Sequence, residues 1–104
     1  AYRRPLRSMA LPELPLSVED YAVVYEPRED TYLFVDALEE DQALLRQKRP
    51  TIALEIGSGS GCVLAQLRNT LGPQAGACLF LATDVNPDAT LATTKTSVVS
   101  NAAW

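Results

Sequence analysis

The chain contains no histidine and only two cysteines, Cys62 and Cys78, which stand far apart in apolar surroundings. Zinc sites are built from closely spaced cysteine and histidine ligands, so this composition argues against a metal site. The same two thiols favour a reducing compartment, in which cysteines remain unpaired. We therefore predict two buried free cysteines and no bound metal.

Long apolar runs and an excess of positive charge are also missing. No stretch approaches the ~20 apolar residues that span a bilayer, and Pro12 and Pro15 interrupt the N-terminal apolar segment, which argues against a signal peptide. The net charge of −4 and the pI of about 4.6 argue against a module that binds nucleic acid directly. The sequence predicts an intracellular protein of the cytoplasm, with the nucleus as a second location.

The 104 residues, of which 47% are hydrophobic, are enough for one small globular domain. Three early prolines predict that residues 1–20 form an irregular arm, so that residues 21–104 hold the folded part. Apolar spacing then predicts one helix that Asp30 or Thr31 caps and Pro50 ends. Six apolar residues would line its buried face: Leu33, Phe34, Ala37, Leu38, Leu44 and Leu45.

Two short apolar runs, "TIALEI" and "CLFLATD", are typical of parallel strands that are buried on both faces. The segment "CVLAQLRNTL" between them predicts a helix that Gly72-Pro73 ends. A last helix follows an Asn86 cap, with Pro87 and Asp88 in its first turn. Alternating helices and strands predict right-handed crossovers and a parallel sheet. Two strands do not complete such a layer, so the order resembles the first half of a doubly wound α/β domain.

Three glycines, Gly57, Gly59 and Gly61, follow the first strand in "ALEIGSGSGC". A P-loop requires a lysine that this segment lacks. The dinucleotide fingerprint requires its third glycine one position later, where Cys62 stands. The third interpretation is the loop of class I methyltransferases, an acid followed by Gly-x-Gly-x-Gly, and Glu55 through Gly61 match that pattern without a gap.

The two carboxylates at the strand ends suit S-adenosylmethionine, which carries a sulfonium, an ammonium and a ribose diol. Glu55 would offset the positive end of that ligand, and Asp84 would accept hydrogen bonds from the ribose hydroxyls. Purely structural alternatives remain open at this stage. The glycines could serve a tight turn, Asp84 could accept backbone N–H groups at a helix start, and Glu55 could reach solvent.

Three segments, "VVYEPREDTYLFVDALE", "ALEIGSGSG" and "ATDVNPDA", resemble in this order the HemK-like methyltransferases of eukaryotes and archaea. Within that family, the segments most resemble the catalytic subunit that methylates the glutamine of the GGQ motif in class I peptide release factors. It implies a Rossmann-like class I methyltransferase fold, α/β with an incomplete parallel sheet, of which residues 21–104 form the N-terminal half. It also implies S-adenosylmethionine as cofactor, with Thr31 near its methionine end, Glu55, Gly57, Gly59 and Gly61 along the methionine and ribose, and Asp84 on the ribose diol. Tyr25, Glu26 and Pro27 would shape a lid.

The family carries an Asn-Pro-Pro-Tyr motif that holds the acceptor amide, and this chain has only Asn86-Pro87 followed by Asp88. The resemblance therefore implies no catalytic residue here and no turnover by this chain alone. It implies a peptide release factor as substrate, with lysine or another nitrogen as an open alternative, and a small zinc-binding activator subunit as partner. No membrane association is expected. A non-catalytic interaction fragment and an NAD-binding module are the competing hypotheses.

Overall fold

The computed structural model describes residue 12 and residues 14–99 of the chain. Most of the predicted N-terminal arm lies outside these residues, so the arm stays a prediction. The described part begins with a turn of helix, α1 (Val18–Tyr21), that crosses the predicted boundary at residue 20. Ser17 and Asp20 stabilise its start reciprocally, because the Asp20 N–H donates to Ser17 Oγ and the Ser17 N–H donates to Asp20 Oδ2.

The single helix predicted up to Pro50 is two helices, α2 (Glu29–Glu40) and α3 (Gln42–Lys48). They separate at Asp41, whose backbone leaves helical geometry at φ −87° and ψ 10°. The predicted caps are also wrong. Arg28 is the N-cap of α2, and Thr31 lies inside the first turn, where its Oγ1 accepts the Arg28 N–H at 3.3 Å. Arg49 follows α3 in the left-handed region at φ 47°, and the predicted stop before Pro50 is confirmed.

The predicted buried face of this helical segment is wrong as well. Leu33, Phe34 and Leu44 are about half exposed, whereas Val35 is fully buried and Asp36 nearly so. The buried side of α2 is set by the element that it contacts, which is the helix of residues Cys62–Leu71 rather than the sheet. Apolar spacing identifies a stripe on a helix but does not identify the surface that the stripe will meet.

The predicted parallel strand pair is confirmed. Strands β1 (Ile52–Ile56) and β2 (Leu79–Thr83) pair in parallel, with Leu54 opposite Leu81. Helix α4 (Cys62–Leu71) connects them and ends at Gly72, and an unpredicted 3-10 helix, Gly72–Ala77, leads into β2. Helix α5 (Pro87–Val99) follows. The α/β architecture predicted from the sequence is therefore confirmed, as a two-stranded sheet with helices.

The expectation that both faces of the strands are buried is wrong among the described residues. Helices α4 and α5 lie over the face that carries Phe80 and Ala82, where a cavity of about 250 Å³ remains between them. No helix of the described residues covers the opposite face, which we call the bare sheet face; its residues are Ile52, Leu54, Ile56, Leu79, Leu81 and Thr83.

The best-buried apolar residues lie among the helices rather than on the strands. Val24 packs with Ala89 and Ala92 of α5, and Leu16 covers this group. Val35 and Leu71 are also almost completely enclosed. Within the described part of the chain, no helix has the length and apolarity that crossing a membrane would require.

Candidate functional site

A cavity of about 440 Å³ lies at the carboxyl ends of the two strands, where α/β proteins commonly bind ligands. The loop of residues 57–60 forms its floor, and Glu55 and Asp84 stand beside that loop. The start of α2 and the segment before it form the facing wall. The lining residues from that wall are Tyr25, Asp30, Thr31 and Phe34. The cavity thus brings Thr31, Glu55, Gly57, Gly59 and Asp84 together, as the sequence predicted, whereas Gly61 does not line it.

The glycines of the loop differ in what surrounds them, although all three have positive φ. A Cβ added to Gly57 or Gly59 would meet no atom within 4 Å, so their backbone faces open space. A Cβ on Gly61, where φ is 86°, would lie 3.1 Å from the Cα of Thr93. Gly61 therefore allows α5 to approach the loop closely, and Gly57 and Gly59 leave room above it.

Threonines of α5 hold the loop in place, and sequence analysis missed them. Thr93 Oγ1 lies 2.8 Å from Ser58 Oγ and donates to the carbonyl of Gly59 at 3.2 Å. Thr96 Oγ1 donates to the carbonyl of Ser60 at 2.7 Å. In the sequence these residues look like poor helix formers. Their i,i+3 spacing was the available signal, because it puts two hydroxyls on one face of α5.

Both carboxylate oxygens of Asp84 accept backbone N–H groups. The Gly59 N–H donates to Oδ2 at 3.0 Å and the Asn86 N–H donates to Oδ1 at 2.9 Å. These hydrogen bonds lower the pKa of Asp84 below its usual value, and the one from Asn86 has the largest effect. The group is therefore ionised at neutral pH. The carboxylate thus performs the backbone role that the sequence left open as an alternative. A carboxylate has about four lone-pair sites, so the group can still accept a hydrogen bond from a ligand.

Glu55 is half-buried and faces α4 rather than solvent, because it shares the covered side of β1 with Ala53. Burial raises the pKa of Glu55 to about 7; a hydrogen bond from the Leu64 amide opposes the rise, and the charge of Asp84 adds to it. Its Oε1 is buried and has no hydrogen-bond partner. An unpaired buried carboxylate oxygen costs free energy, so a donor on a ligand would relieve that cost.

The predicted lid segment divides between two cavities. Tyr25 lines the main cavity, and its hydroxyl donates to Asp30 Oδ1 at 2.9 Å while the Arg28 guanidinium lies 5.7 Å from the ring centroid. Glu26 and Pro27 instead line a neighbouring cavity of about 130 Å³. Cys62 lines both cavities, so the two share a wall. The segment therefore borders both cavities, and its role as a lid stays a prediction.

The main cavity is acidic. Asp30, Glu55 and Asp84 are among its lining residues, and no lysine or arginine is. Such a lining attracts a cation and repels a pyrophosphate. Asp30 was missed as a site residue because its sequence position favoured a helix cap.

The described residues include no cluster of histidine, cysteine, aspartate and glutamate that could hold a metal ion. Neither Cys62 nor Cys78 forms a disulfide bond in the described structure, as predicted. Cys62 is buried, but the expectation of burial is wrong for Cys78, which is partly exposed beside β2.

No family model matches the chain. It is 48% identical over 77 residues to the Homo sapiens protein named Methyltransferase HEMK2, an alignment that covers 74% of this chain and 34% of that protein. The Mus musculus protein of the same name is 47% identical over 74 residues, 71% of this chain and 32% of the relative. A Schizosaccharomyces pombe protein named eRF1 methyltransferase catalytic subunit mtq2 is 42% identical over 57 residues, 52% of this chain and 25% of its own length. The chain spans about a third of the length of the first two relatives.

Proposed function

Because these relatives confirm the resemblance to the HemK-like methyltransferases, we propose that this chain carries the S-adenosylmethionine site of a protein methyltransferase. The fold would be the N-terminal half of a Rossmann-like class I methyltransferase fold. In such a fold the pair β1 and β2 is part of a larger parallel sheet.

The observation that carries the proposal is the acidic lining of the main cavity. S-adenosylmethionine has a positive sulfonium and a positive ammonium and no phosphate, so Asp30, Glu55 and Asp84 complement its charge. NAD carries a pyrophosphate, which these carboxylates would repel and which no lysine or arginine of the lining would neutralise. The same lining therefore weighs against the NAD-binding hypothesis.

Each predicted site residue has a role that its surroundings support. Asp84 is ionised and would accept the ribose hydroxyls with its free lone pairs. Glu55 would accept a donor from the ligand with its unpaired Oε1. Gly57 and Gly59 leave the floor of the cavity open, Gly61 sets the position of the loop against α5, and Thr31 stands on the facing wall.

When bound, S-adenosylmethionine supplies the methyl group, and the residues of this chain bind and orient it. Methyl transfer depends mainly on the alignment of two reactants, so positioning is the contribution that these residues would make. No residue of this chain is proposed to hold the methyl acceptor, because the Asn-Pro-Pro-Tyr motif is not in the sequence.

The proposed substrate is a peptide release factor, methylated on a glutamine nitrogen. The name of the Schizosaccharomyces pombe relative, an eRF1 methyltransferase catalytic subunit, supports this substrate class and also supports a partner subunit. We propose a small zinc-binding activator as that partner. Lysine or another nitrogen remains the alternative acceptor. The proposed location is the cytoplasm, with the nucleus as a second one.

Calorimetric titration of the chain with S-adenosylhomocysteine, and separately with NAD, tests the cofactor. We expect weak binding of S-adenosylhomocysteine and no heat with NAD. Asp84→Ala should abolish the signal, because the loss of charge-assisted hydrogen bonds weakens binding roughly 10- to 100-fold. Asp88→Ala, an exposed acid at the start of α5, is the matched control and should bind as the parent does. Binding of NAD would contradict the proposal, and so would a signal that Asp84→Ala leaves unchanged.

Turnover is tested with radiolabelled S-adenosylmethionine and a peptide containing the GGQ motif. We expect no methyl transfer by this chain alone, since nothing in it is proposed to hold the acceptor amide. Measurable transfer would contradict that part of the proposal, and transfer to a lysine peptide would favour the alternative acceptor.

A further inference from the structure

Thr93 of α5 supports the glycine loop from outside the main cavity. It lines the cavity between α4 and α5 and is not among the residues that line the main cavity. Its Oγ1 donates to the carbonyl of Gly59 at 3.2 Å and lies 2.8 Å from Ser58 Oγ. A hydroxyl has one hydrogen to donate, so the Ser58 hydroxyl is the donor of the shorter contact. The two hydroxyls and the carbonyl thus form one chain of hydrogen bonds.

The serines and the glycines of the loop differ in what surrounds them. Ser58 and Ser60 are each only 6% exposed, so the fold encloses them. A Cβ at Gly57 or Gly59 would meet no described atom within 4 Å, so nothing packs there to restrain the loop. Glycine also brings no side chain that would restrict the backbone. The conformation at Gly59 therefore depends on hydrogen bonds, of which Thr93 receives or donates two.

The N–H of Gly59 links Thr93 to Asp84. This N–H belongs to the peptide that joins Ser58 to Gly59, and it donates to Asp84 Oδ2 at 3.0 Å. Thr93 contacts the residue on each side of that peptide. The other carboxylate oxygen, Oδ1, accepts the Asn86 N–H at 2.9 Å. Two donors therefore orient the Asp84 carboxylate, and Thr93 holds the peptide that carries one of them.

We propose that Thr93 is a positioning residue for ribose recognition: through Gly59 it sets the direction in which the Asp84 carboxylate faces the ribose hydroxyls of S-adenosylmethionine. The inference rests on the proposed function, because that proposal assigns the ribose to Asp84. Thr93 acts on the ligand only through Gly59 and Asp84, since it does not line the main cavity.

Three substitutions in α5 separate this role from ordinary packing. Thr93→Val keeps the volume of the side chain but removes the hydroxyl that pairs with Ser58 and Gly59. Buried polar groups that lose a partner are costly, so the loop is expected to shift. Thr93→Ser retains the hydroxyl. Thr94→Val is the matched control, because Thr94 is exposed and its Oγ1 donates to the Thr90 carbonyl of the same helix at 2.9 Å.

The first readout is NMR titration of the chain with S-adenosylhomocysteine and with an analogue that lacks both ribose hydroxyls. Thr93→Val is expected to weaken binding of S-adenosylhomocysteine roughly two- to tenfold, the effect of one hydrogen bond, and to leave the affinity for the analogue unchanged. Thr93→Ser and Thr94→Val should bind both ligands as the parent does. Equal losses for the two ligands would overturn the proposal, because they would indicate a general loosening of the cavity.

The second readout, the pKa of Asp84, needs no ligand. The backbone N–H groups of Asn86 and Gly59, in this order of effect, lower that pKa. Thr93→Val should therefore raise the pKa of Asp84 towards its ordinary value, whereas Thr93→Ser and Thr94→Val should not. Carbon NMR of the Asp84 carboxyl during an acid titration measures it. An unchanged pKa in Thr93→Val would also overturn the proposal.

The two readouts distinguish failure of this inference from failure of the proposed function. A parent chain that binds neither ligand would contradict the proposed cofactor, whereas a raised pKa in Thr93→Val would still support the link from Thr93 to Asp84. If Thr93→Val does not fold, Ser58→Ala replaces it, because it removes the same chain of hydrogen bonds from the loop side. The same selective loss and the same rise in pKa are expected there, and the absence of both would overturn the proposal.

Discussion

The backbone N–H of Gly59 donates a hydrogen bond to Oδ2 of Asp84 at 3.0 Å. This contact joins the glycine loop after β1 to the end of β2, so the floor of the cavity is bonded directly to the Asp84 carboxylate. The sequence predicted both residues as ligand contacts. The structure adds that each also positions the other, so a change at Asp84 alters the loop as well as the charge.

The stability of the loop should depend on the ionised form of Asp84. Asp84→Asn is expected to destabilise the protein by about 1 kcal/mol at pH 7, because the carboxylate accepts two backbone N–H groups. The pKa of Asp84 is lowered in the folded state, so its contribution is present above the unfolded pKa and is lost as the pH falls through the folded pKa. Thermal unfolding at pH 7 and at a series of lower pH values measures the difference, with Asp88→Asn as control. A difference that stays constant throughout the acid range would show that the charge is not responsible.

Glu55 should give the opposite pH dependence. Its pKa is about 7 when folded and 4.5 for the freely solvated carboxyl, so between these values the folded protein keeps a proton that the unfolded chain has released. The free energy of unfolding attributable to Glu55 is therefore greatest below about pH 4.5 and falls as the pH rises towards 7. Glu55→Gln should flatten this segment of the stability profile. Chemical unfolding at intervals from pH 4 to pH 8 measures it, and parallel profiles for parent and variant would contradict the expectation.

The ionisation of Glu55 should affect ligand affinity in the opposite direction, so that affinity rises with pH while stability falls. Ionised Glu55 attracts an ammonium, whereas the protonated form does not, so the affinity for S-adenosylhomocysteine should rise between pH 6 and pH 8. Asp84 is ionised throughout this range and contributes no slope there. Glu55→Gln should remove the rise in calorimetric titrations, and a rise that survives the substitution would assign it to another group.

The close approach of α5 to the loop predicts a severe effect of a single methyl group. Gly61→Ala would put a Cβ 3.1 Å from the Cα of Thr93 and would force alanine into φ 86°. We expect a loss of about 2–4 kcal/mol in the free energy of unfolding, because strain and a backbone clash add. Gly76→Ala is the matched control, since nothing lies within 4 Å of its Cβ position and its φ is not positive. Equal denaturation midpoints for the two variants would contradict the observed packing.

The corrected face of α2 gives a prediction within one helix. Val35 is fully buried, whereas Leu33, which the sequence placed on the buried face, is about half exposed. Val35→Ala should cost about 1–3 kcal/mol and Leu33→Ala less than about 1 kcal/mol, because only the first leaves a cavity. Urea denaturation measures both losses. A larger loss for Leu33→Ala than for Val35→Ala would indicate that the face predicted from the sequence is the buried one.

Several elements could be predicted from the sequence because their signals are local. The two β strands were predicted within one residue from short aliphatic runs, and α4 from its apolar spacing and the following Gly72. Asn86 caps α5 as predicted, since its Oδ1 accepts the Asp88 N–H at 3.0 Å. The grouping of Glu55, the glycine loop and Asp84 at one end of the sheet followed from parallel pairing alone.

The acidic character of the cavity was only partly predictable. Asp30 and Phe34 reach its wall because α2 packs against α4, a contact between residues distant in the sequence. The support of the loop by Thr93 and Thr96 likewise depends on where α5 lies. Helix propensity ranks those threonines as poor helix formers, and it takes no account of the hydrogen bonds that their hydroxyls donate to the loop.

The sequence by itself determined the two strands, the positions of α4 and α5 and the identity of the strand-end acids, because these depend on neighbours within a few residues, and the strand–helix–strand order then implied parallel pairing. Only the tertiary structure decided which side of α2 is buried, that Glu55 faces α4 with an unpaired oxygen, and that one sheet face stays bare. Burial depends on which surfaces meet. That choice is made by packing between distant segments, and local sequence patterns carry too little information to specify it.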